Sequence, residues 1–324
     1  MDKVNNSLYE IYNADCFDVL GDIDDASVDL ILVDPPYGTT SIKWDSVLDF
    51  DIMWNHISRV LKPNRNVILF GSQPFSSKVI LSNEKWFKYE LIWNKNKCGS
   101  PGLAKFRPQK VHENIMVFSN GVGIYNPIME QGNPYKRFNP NGYGTGKNTH
   151  GYGFGNKNTG HTNDGTRYPK SIIHASRNFS AQQTIHPTQK PTNLLNWLIM
   201  TYSNKGDVVM DFTMGVGSCA VSSKLTGRYF IGIEKEAEYF NLAKKRLEFC
   251  EYDVVNENDI QLSTQLHGDI ITLPDKSYES KFNKFIDSLN KDKNIVCHDA
   301  LTDDYSFGDY GKAAEWFDFE SVYK

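Results

Sequence analysis

The sequence is poor in the features that mark secreted, membrane-bound and metal-binding proteins. Cysteine occurs only five times in 324 residues and never as a C-x-x-C pair, so we expect neither a disulfide framework nor a zinc cluster. The eight histidines lack H-E-x-x-H spacing, and we therefore predict no metal. No run of about 18 apolar residues occurs, and the N-terminus shows no basic-then-apolar signal pattern. These absences predict a cytoplasmic protein without a membrane partner.

Acidic charge is scarce in the middle of the chain, although the formal net charge is −4. Residues 59–113 carry eleven Lys and Arg against three Asp and Glu, and residues 136–190 carry eight against one. The acidic excess lies in residues 251–324, with sixteen against seven. A basic middle indicates a polyanionic partner such as DNA. The predicted phosphate contacts, for which ordinary solvated side chains are the alternative, are Lys95, Lys97, Lys105, Arg107 and Lys110.

Apolar runs and helical spacings alternate along the chain. The continuous run Val28–Val33 predicts a strand buried on both faces of a parallel sheet. Met53, Ile57, Val60 and Leu61 then recur at helical spacing and stop before Pro63, which predicts a helix, and a second buried strand is predicted at 66–70. Further strands are predicted at 8–13, 87–93, 114–118, 208–210 and 229–234, with a helix from residue 191 and a closing helix around 240–250. This alternation is typical of a doubly wound α/β fold.

Four segments are predicted from changes in composition. Residues 120–183 are dominated by Gly, Asn, Tyr, Thr and His, with basic residues between the aromatics. A flexible linker is one interpretation, and an insertion that faces nucleic acid is the one we favour. Residues 1–119 and 184–250 are then the two halves of one domain, on either side of this insertion. Residues 251–324 form an acidic C-terminal extension to which the sequence assigns no task.

The most specific motif is Asp34-Pro35-Pro36-Tyr37, which directly follows the run Val28–Val33. Two prolines remove backbone donors and fix φ, so the chain must leave the sheet in a rigid turn at the strand's carboxyl end. The turn offers a carboxylate, the carbonyl of Pro35 and an aromatic ring. Two acceptors can hold an exocyclic amine with its lone pair facing an electrophile, and the ring can stack on a base.

A second motif predicts a cofactor site. The stretch Asp211–Ser218 has two glycines between a strand and a helix, which permits a tight turn with close backbone approach to a ligand. Glu234 ends the next strand, where a carboxylate can accept ribose hydroxyls. The turn has neither a third glycine at dinucleotide-binding spacing nor a G-K-[ST] sequence, which disfavours a pyrophosphate ligand such as NAD. The motif therefore predicts a nucleoside cofactor without phosphates.

Together these motifs resemble the amino-methylating DNA methyltransferases of the β arrangement. The resemblance also includes NADCFDVL at 13–20, HPTQKP at 186–191 and FIGIEKEAEY at 230–239, with the catalytic motif preceding the cofactor motif. It implies a Rossmann-like fold with a seven-stranded, mostly parallel sheet, a permuted motif order and a loop-rich insertion. It further implies S-adenosylmethionine as cofactor and double-stranded DNA as substrate, with the target base flipped out of the duplex.

The resemblance also implies a role for each motif residue. It implies that the target base is contacted by Asp34, Pro35, Pro36 and Tyr37. It implies that the cofactor is approached by four residues of the turn, Asp211, Thr213, Gly215 and Gly217. Glu234 would bind its ribose, and Asp15 with Cys16 would contact its adenine. Lys190 with Thr192 would contact its methionine carboxylate. His186 is interpreted as fixing local structure. One departure is Asp211-Phe212-Thr213, where the family usually has Asp-Pro-Phe.

Several functions remain open from the sequence. Asp at the first position of the DPPY motif favours adenine N6 by resemblance, and cytosine N4 is the nearest alternative. An inactive DNA-binding module and a nicotinamide oxidoreductase are alternatives of other classes. The recognition sequence, a homodimer, a cognate restriction enzyme, and origin in a bacterial or a phage-infected cell are not determined by the motifs.

Overall fold

The computed structural model describes residues 2–38, 46–95, 98, 102, 104–137, 161–175 and 189–250. All of these except Gln189 belong to one compact unit. The predicted acidic extension, about half of the predicted insertion, Lys97 and His186 lie outside the described residues.

Thirteen strands and six helices are assigned within these ranges. The strands are β1 Asp2–Asn5, β2 Tyr9–Asn13, β3 Val28–Val33, β4 Leu61–Gly71, β5 Phe87–Asn94, β6 His112–Ser119, β7 Glu130–Gln131, β8 Tyr135–Arg137, β9 His161–Asn163, β10 Thr166–Arg167, β11 Ile172–His174, β12 Val208–Asp211 and β13 Tyr229–Glu234. The helices are α1 Cys16–Leu20, α2 Phe50–Val60, α3 Phe75–Ser82, α4 Thr192–Tyr202, α5 Ser218–Leu225 and α6 Ala237–Phe249. None of these helices is long and apolar enough to span a bilayer.

Nine of the strands form one sheet in the order β1-β2-β13-β12-β3-β4-β6-β5-β11. The strands from β2 to β4 are parallel, whereas β6 is antiparallel to both of its neighbours and β1 is antiparallel to β2. The α/β class and the mostly parallel sheet are thus confirmed. The sheet has seven strands from β2 to β5, as predicted, and the short edge strands β1 and β11 extend it to nine. Edge strands of three or four residues are too short for their hydrophobic pattern to be detected.

The core forms where the apolar patterns predict it. Every residue of β3 is buried, because the strand lies in the middle of the sheet with helices on both faces. The helix α2 begins at the cap residue Asp49, whose carboxylate accepts the N–H of Ile52, and it buries Met53, Ile57 and Val60. The strand is confirmed residue by residue, and the helix is confirmed except that it ends at Val60, so that Leu61 is the first residue of β4.

Three features differ from the predictions. The strand β4 begins at Leu61, immediately after α2, so Lys62–Arg65 are strand residues despite their polarity. The strand β11 lies in the predicted insertion yet pairs with β5 in the main sheet. The helix α4 is buried on all sides rather than on one face. In each case the partner comes from elsewhere in the chain, so the local sequence carries no sign of it.

The pairing of β3 with β12 brings together segments about 180 residues apart in the chain. Leu30 pairs with Val209 and Ile31 pairs with Met210, in parallel. Because parallel strands end at the same edge of a sheet, the turns that follow β3 and β12 are neighbours. Strand order therefore places the DPPY turn beside the glycine turn.

The opposite ends of these strands are joined by Asp29, which is 2% exposed. Its Oδ2 accepts the N–H of Val208 at 3.0 Å and lies 2.7 Å from Nζ of Lys62, while its Oδ1 lies 2.9 Å from a guanidinium nitrogen of Arg65. One carboxylate thus ties β3 to β4 and β12.

We expect Asp29→Ala to lower the free energy of unfolding by about 2 to 3 kcal/mol, because it leaves the N–H of Val208 and the ammonium of Lys62 without this acceptor and leaves Arg65 with only the longer contact to Asp207. Asp25→Ala is the matched control. Asp25 pairs with Arg59 but has a side chain that is 76% exposed, so its loss should cost under about 1 kcal/mol. Urea unfolding of both variants measures the difference, and equal losses would contradict the role given to Asp29.

Candidate active site

The turn after β3 holds a carboxylate and an aromatic ring together. The hydroxyl of Tyr37 donates to Oδ1 of Asp34 at 2.5 Å. The Tyr37 ring packs against Phe75, the first residue of α3, with centroids 5.0 Å apart and planes tilted by 31°. Phe50 packs on the edge of Phe75 from α2. The two prolines and these contacts give Asp34 and Tyr37 a defined orientation.

The glycine turn after β12 contacts the DPPY turn directly. The hydroxyl of Thr213 donates to the backbone carbonyl of Asp34 at 3.2 Å. The N–H of Thr213 in turn donates to Oδ1 of Asp211 at 3.1 Å. The family usually has its aromatic residue at the position of Thr213, whereas this chain has Phe212 one residue earlier. Phe212 is buried in the core, and Thr213 links the two motifs.

Both glycines of the turn adopt left-handed backbone conformations. Gly215 has φ of +53° and Gly217 has φ of +75°, which disfavours any residue with a Cβ. A Cβ on Gly217 would lie 2.8 Å from Cβ of Ala243 on α6. A Cβ on Gly215 would meet no atom within 4 Å, so this part of the turn faces open space. Gly217 thus allows close packing of α6, and Gly215 leaves room for a ligand.

Glu234 ends β13 beside this turn and is buried. Its Oε2 accepts the N–H of Gly215 at 2.8 Å, and its Oε1 accepts the N–H of Glu236 at 2.7 Å. Burial raises the pKa of Glu234, and these two backbone donors partly oppose the rise. Each carboxylate oxygen has a further lone pair. The carboxylate is therefore held in place and retains acceptor capacity for a pair of hydroxyls.

The end of β2 lies next to Glu234. The side chain of Asn13 donates to the carbonyls of Glu234 and Lys235 at 2.9 and 3.0 Å. Asp15 caps α1 by accepting the N–H of Phe17, and its Oδ2 lies 3.0 Å from Nζ of Lys235. Partial burial alone would raise the pKa of Asp15, but Lys235 and that N–H lower it.

Cys16 and Thr192 are both buried in this part of the molecule. Burial and the adjacent Asp15 carboxylate raise the pKa of the Cys16 thiol to about 12, so it stays protonated. Thr192 is the first residue of α4, and its backbone carbonyl accepts the hydroxyl of Ser222 on α5. The structure thus brings Asp15, Cys16 and Glu234 together, whereas the contact of Thr192 is with α5.

Lys190 makes an ion pair with Oδ2 of Asp34. Its ammonium also lies 3.4 Å from Oε2 of Glu113, the second residue of β6, and 5.0 Å from the ring centroid of Phe70. Oε1 of Glu113 lies 2.9 Å from Nζ of Lys95. The sequence analysis missed Glu113, although it is one of only three acidic residues in the basic segment 59–113.

Carboxyl groups are concentrated at this edge of the sheet. Burial raises the pKa of Asp34; Lys190 opposes that rise and Glu113 adds to it. Burial raises the pKa of Asp211 well above its usual value, with Asp34 and Glu234 adding to the effect. Since neighbouring carboxylates repel one another, the cluster favours a ligand that carries positive charge.

The five basic residues predicted to contact phosphates have different surroundings. Lys105 and Arg107 are exposed, and Lys97 lies outside the described residues. Lys95 pairs with Glu113, and Lys110 donates to the hydroxyl of Ser72. Desolvation lowers the pKa of Lys110, and the cations Lys95 and Arg107 lower it further. Of the four predicted phosphate contacts that the structure describes, only Lys105 and Arg107 are therefore exposed.

Fold and site together define a class of protein. It is a doubly wound α/β protein with a glycine turn that leaves room for a ligand, next to a rigid carboxylate and aromatic corner. Within the described ranges no cluster of three or more His, Cys, Asp or Glu is arranged to hold a metal.

Comparison with known proteins gives the family. The model of the N6/N4 methyltransferase family, described as DNA methylase, matches residues 28–245. The chain is 26% identical over 293 residues to the type II methyltransferase M.HinfI of Haemophilus influenzae, covering 81% of this chain and 73% of that one. It is 27% identical over 247 residues to the type II methyltransferase M1.MboII of Moraxella bovis, covering 72% and 94%. The chain belongs to this DNA methylase family.

Solved structures agree with the fold. The M1.HpyAVI complex with S-adenosylmethionine aligns with a TM-score of 0.52 at 24% identity, covering 74% of this chain and 99% of that chain. The PvuII DNA methyltransferase, a cytosine-N4-specific enzyme, aligns with a TM-score of 0.55 at 14% identity, covering 87% and 94%.

The protein is thus a DNA methyltransferase, and its cofactor is S-adenosylmethionine, as in its family. The site fits this compound in three respects. Gly215 faces open space, Glu234 retains acceptors for hydroxyls, and the clustered carboxyls suit a sulfonium and an ammonium group.

The two glycines should respond differently to substitution by alanine. We expect both Gly215→Ala and Gly217→Ala to cost about 1 to 2 kcal/mol of stability from left-handed strain. Gly217→Ala should cost measurably more, because its Cβ overlaps Ala243. Chemical unfolding of both variants without cofactor tests this expectation, and equal losses would show that α6 does not pack tightly against the turn.

Proposed function

We propose that the protein methylates the N6 amine of adenine at a specific site in double-stranded DNA, with the adenine flipped out of the helix. The observation that carries this proposal is the contact of Thr213 with Asp34, which places the DPPY acceptors beside the cofactor turn. An amine bound to those acceptors lies next to the methyl donor.

The chemistry rests on three groups of the DPPY turn. The carboxylate of Asp34 and the carbonyl of Pro35 accept the two N–H groups of the amine, which favours the pyramidal nitrogen that attack requires. The ring of Tyr37 stacks on the base. S-adenosylmethionine supplies an electrophilic methyl group on a cationic sulfur. As the positive charge moves to the amine nitrogen, the negative charge of Asp34 stabilises it, and the surplus proton then leaves to water.

A duplex base cannot reach this site without leaving the stack. Asp34 lies at the carboxyl edge of a central strand, and its side chain is only 24% exposed. A base pair is too wide to approach such a recessed carboxylate, whereas a single flipped base can enter edge-first. The cost of unpairing is offset by stacking on Tyr37, whose other neighbour is Phe75.

Adenine is favoured over cytosine by the residue at position 34. Cytosine-N4 enzymes of this family more often carry Ser there, as the resemblance implies, and a hydroxyl is a weaker acceptor than a carboxylate. Cytosine N4 is the nearest alternative, and the methylated nucleoside that the enzyme produces distinguishes the two.

The remaining roles are proposed on the same basis. Glu234 binds the ribose hydroxyls, Asp15 and Cys16 contact the adenine of the cofactor, and Lys190 with Thr192 addresses its methionine carboxylate. Lys105 and Arg107 contact DNA phosphates, because both are exposed in the basic segment. Lys95 and Lys110 already have protein partners, so their contribution to DNA binding is expected to be smaller.

Asp34→Asn is expected to lower the methylation rate by about 100-fold or more, because an amide cannot provide the charge that stabilises the cationic product. Affinity for S-adenosylmethionine in calorimetric titration should change little. Mass spectrometry of nucleosides from treated DNA identifies the product and measures the rate.

The matched control is Asp22→Asn, which changes an exposed aspartate away from the turn. Its rate should equal that of the unmodified protein. Detection of N4-methylcytosine in place of N6-methyladenine would refute the adenine proposal, and an Asp34→Asn variant with full activity would refute the role of the carboxylate.

Activity should also depend on pH through Asp34. The carboxylate must be ionised, and burial raises its pKa above the usual 3.8, so activity is lost as pH falls through a value above 3.8. Tyr37→Phe keeps the ring but removes a hydrogen bond that lowers this pKa, so the acid limb should move to higher pH. Profiles of kcat/KM against pH for both proteins test the shift, and a limb that moves down would contradict it.

A further inference from the structure

Four charged side chains form a continuous chain at the carboxyl edge of the sheet. It runs from Asp34 to Lys190, from Lys190 to Glu113, and from Glu113 to Lys95. The members come from the DPPY turn, the start of α4, β6 and the residue after β5. Two carboxylates thus alternate with two ammonium groups.

The inner members of this chain are well shielded from water. The side chain of Lys190 is 7% exposed and that of Glu113 is 11% exposed, so their charges act at short range with little screening. Lys190 shares its single positive charge between two carboxylates. Without Glu113 more of that charge would act on Asp34.

The charge of Asp34 matters because the reaction moves positive charge toward it. An ammonium that fully neutralised Asp34 would weaken its acceptor strength and oppose the cation that forms on the target amine. Glu113 places a second negative charge on the far side of Lys190 and so reduces this opposition. Lys95 in turn compensates the buried charge of Glu113 at 2.9 Å.

We propose that Glu113 is a positioning residue of methyl transfer, which draws the charge of Lys190 away from Asp34 and leaves that carboxylate available to the target amine. This inference rests on the proposed role of Asp34 in the reaction. Glu113 acts through Lys190, with which it makes an ion pair.

Other charged groups around the two carboxylates do not replace Glu113. Asp34 is faced by the hydroxyl of Tyr37 and by the buried Asp211, whose raised pKa opposes a full negative charge. Glu113 is additionally faced by Lys110, whose ammonium is bound to Ser72. Lys190 also acts on Asp211, whose pKa it lowers, whereas its ion pairs are with Asp34 and Glu113.

The test is Glu113→Gln, which keeps the size of the side chain but removes the charge and replaces one of the two acceptor oxygens by a donor. We expect the single-turnover methylation rate at neutral pH to fall about tenfold, since a neighbouring charge should matter less than a group in direct contact. The acid limb should move to lower pH, because Glu113 raises the pKa of Asp34. Glu113→Asp should restore the position of the limb, because it restores the charge.

Glu84→Gln is the matched control, since Glu84 is exposed in the loop before β5 and should affect neither quantity. Thermal unfolding and titration with S-adenosylmethionine establish that each variant is folded and binds cofactor. An unchanged acid limb in Glu113→Gln, a limb that moves to higher pH, or a rate loss matched by loss of folded protein would overturn the inference. If the unmodified protein gives no N6-methyladenine, the proposed function fails instead, so the two failures are distinguishable.

Discussion

The parallel pairing of β3 with β12 is the constraint on which the rest of the site depends. It joins Leu30 and Ile31 to Val209 and Met210, so two turns that are far apart in sequence leave the sheet at one edge. The hydroxyl of Thr213 then bridges to the carbonyl of Asp34. At the other end of the same strands, Asp29 ties β3 to β4 and β12 through buried hydrogen bonds and ion pairs. The groups proposed to bind the base and the cofactor are thus adjacent because two central strands are adjacent.

The edge of the sheet that carries the site concentrates charge in a poorly solvated place. Asp34, Asp211 and Glu234 all have raised pKa values, chiefly from burial. Such an arrangement costs stability in the absence of a cation and suits a reaction in which a positive charge passes from sulfur to nitrogen. The ion pairs of Lys190 offset part of this cost. The site is therefore electrostatically prepared for methyl transfer rather than for phosphate binding.

Much of the fold and the site could be predicted from short motifs, because their physical meaning is local. The continuous run Val28–Val33 is β3 to the residue, and Tyr229–Glu234 is β13. The DPPY turn and the glycine turn have backbone conformations that proline and glycine themselves impose. By contrast, β11 and the burial of α4 on all sides depend on partners elsewhere in the chain, and no local pattern reports them.

The sequence by itself determined the class of fold, the rigid acidic corner, the phosphate-free cofactor turn and the family to which the chain belongs. Only the tertiary structure decided which charges meet. The ammonium of Lys190 lies between Asp34 and Glu113, and Lys95, predicted to contact phosphate, pairs with Glu113. The reason is physical: a motif specifies backbone geometry over a few residues, whereas an ion pair depends on distances between side chains from strands and turns that become neighbours only when the sheet forms.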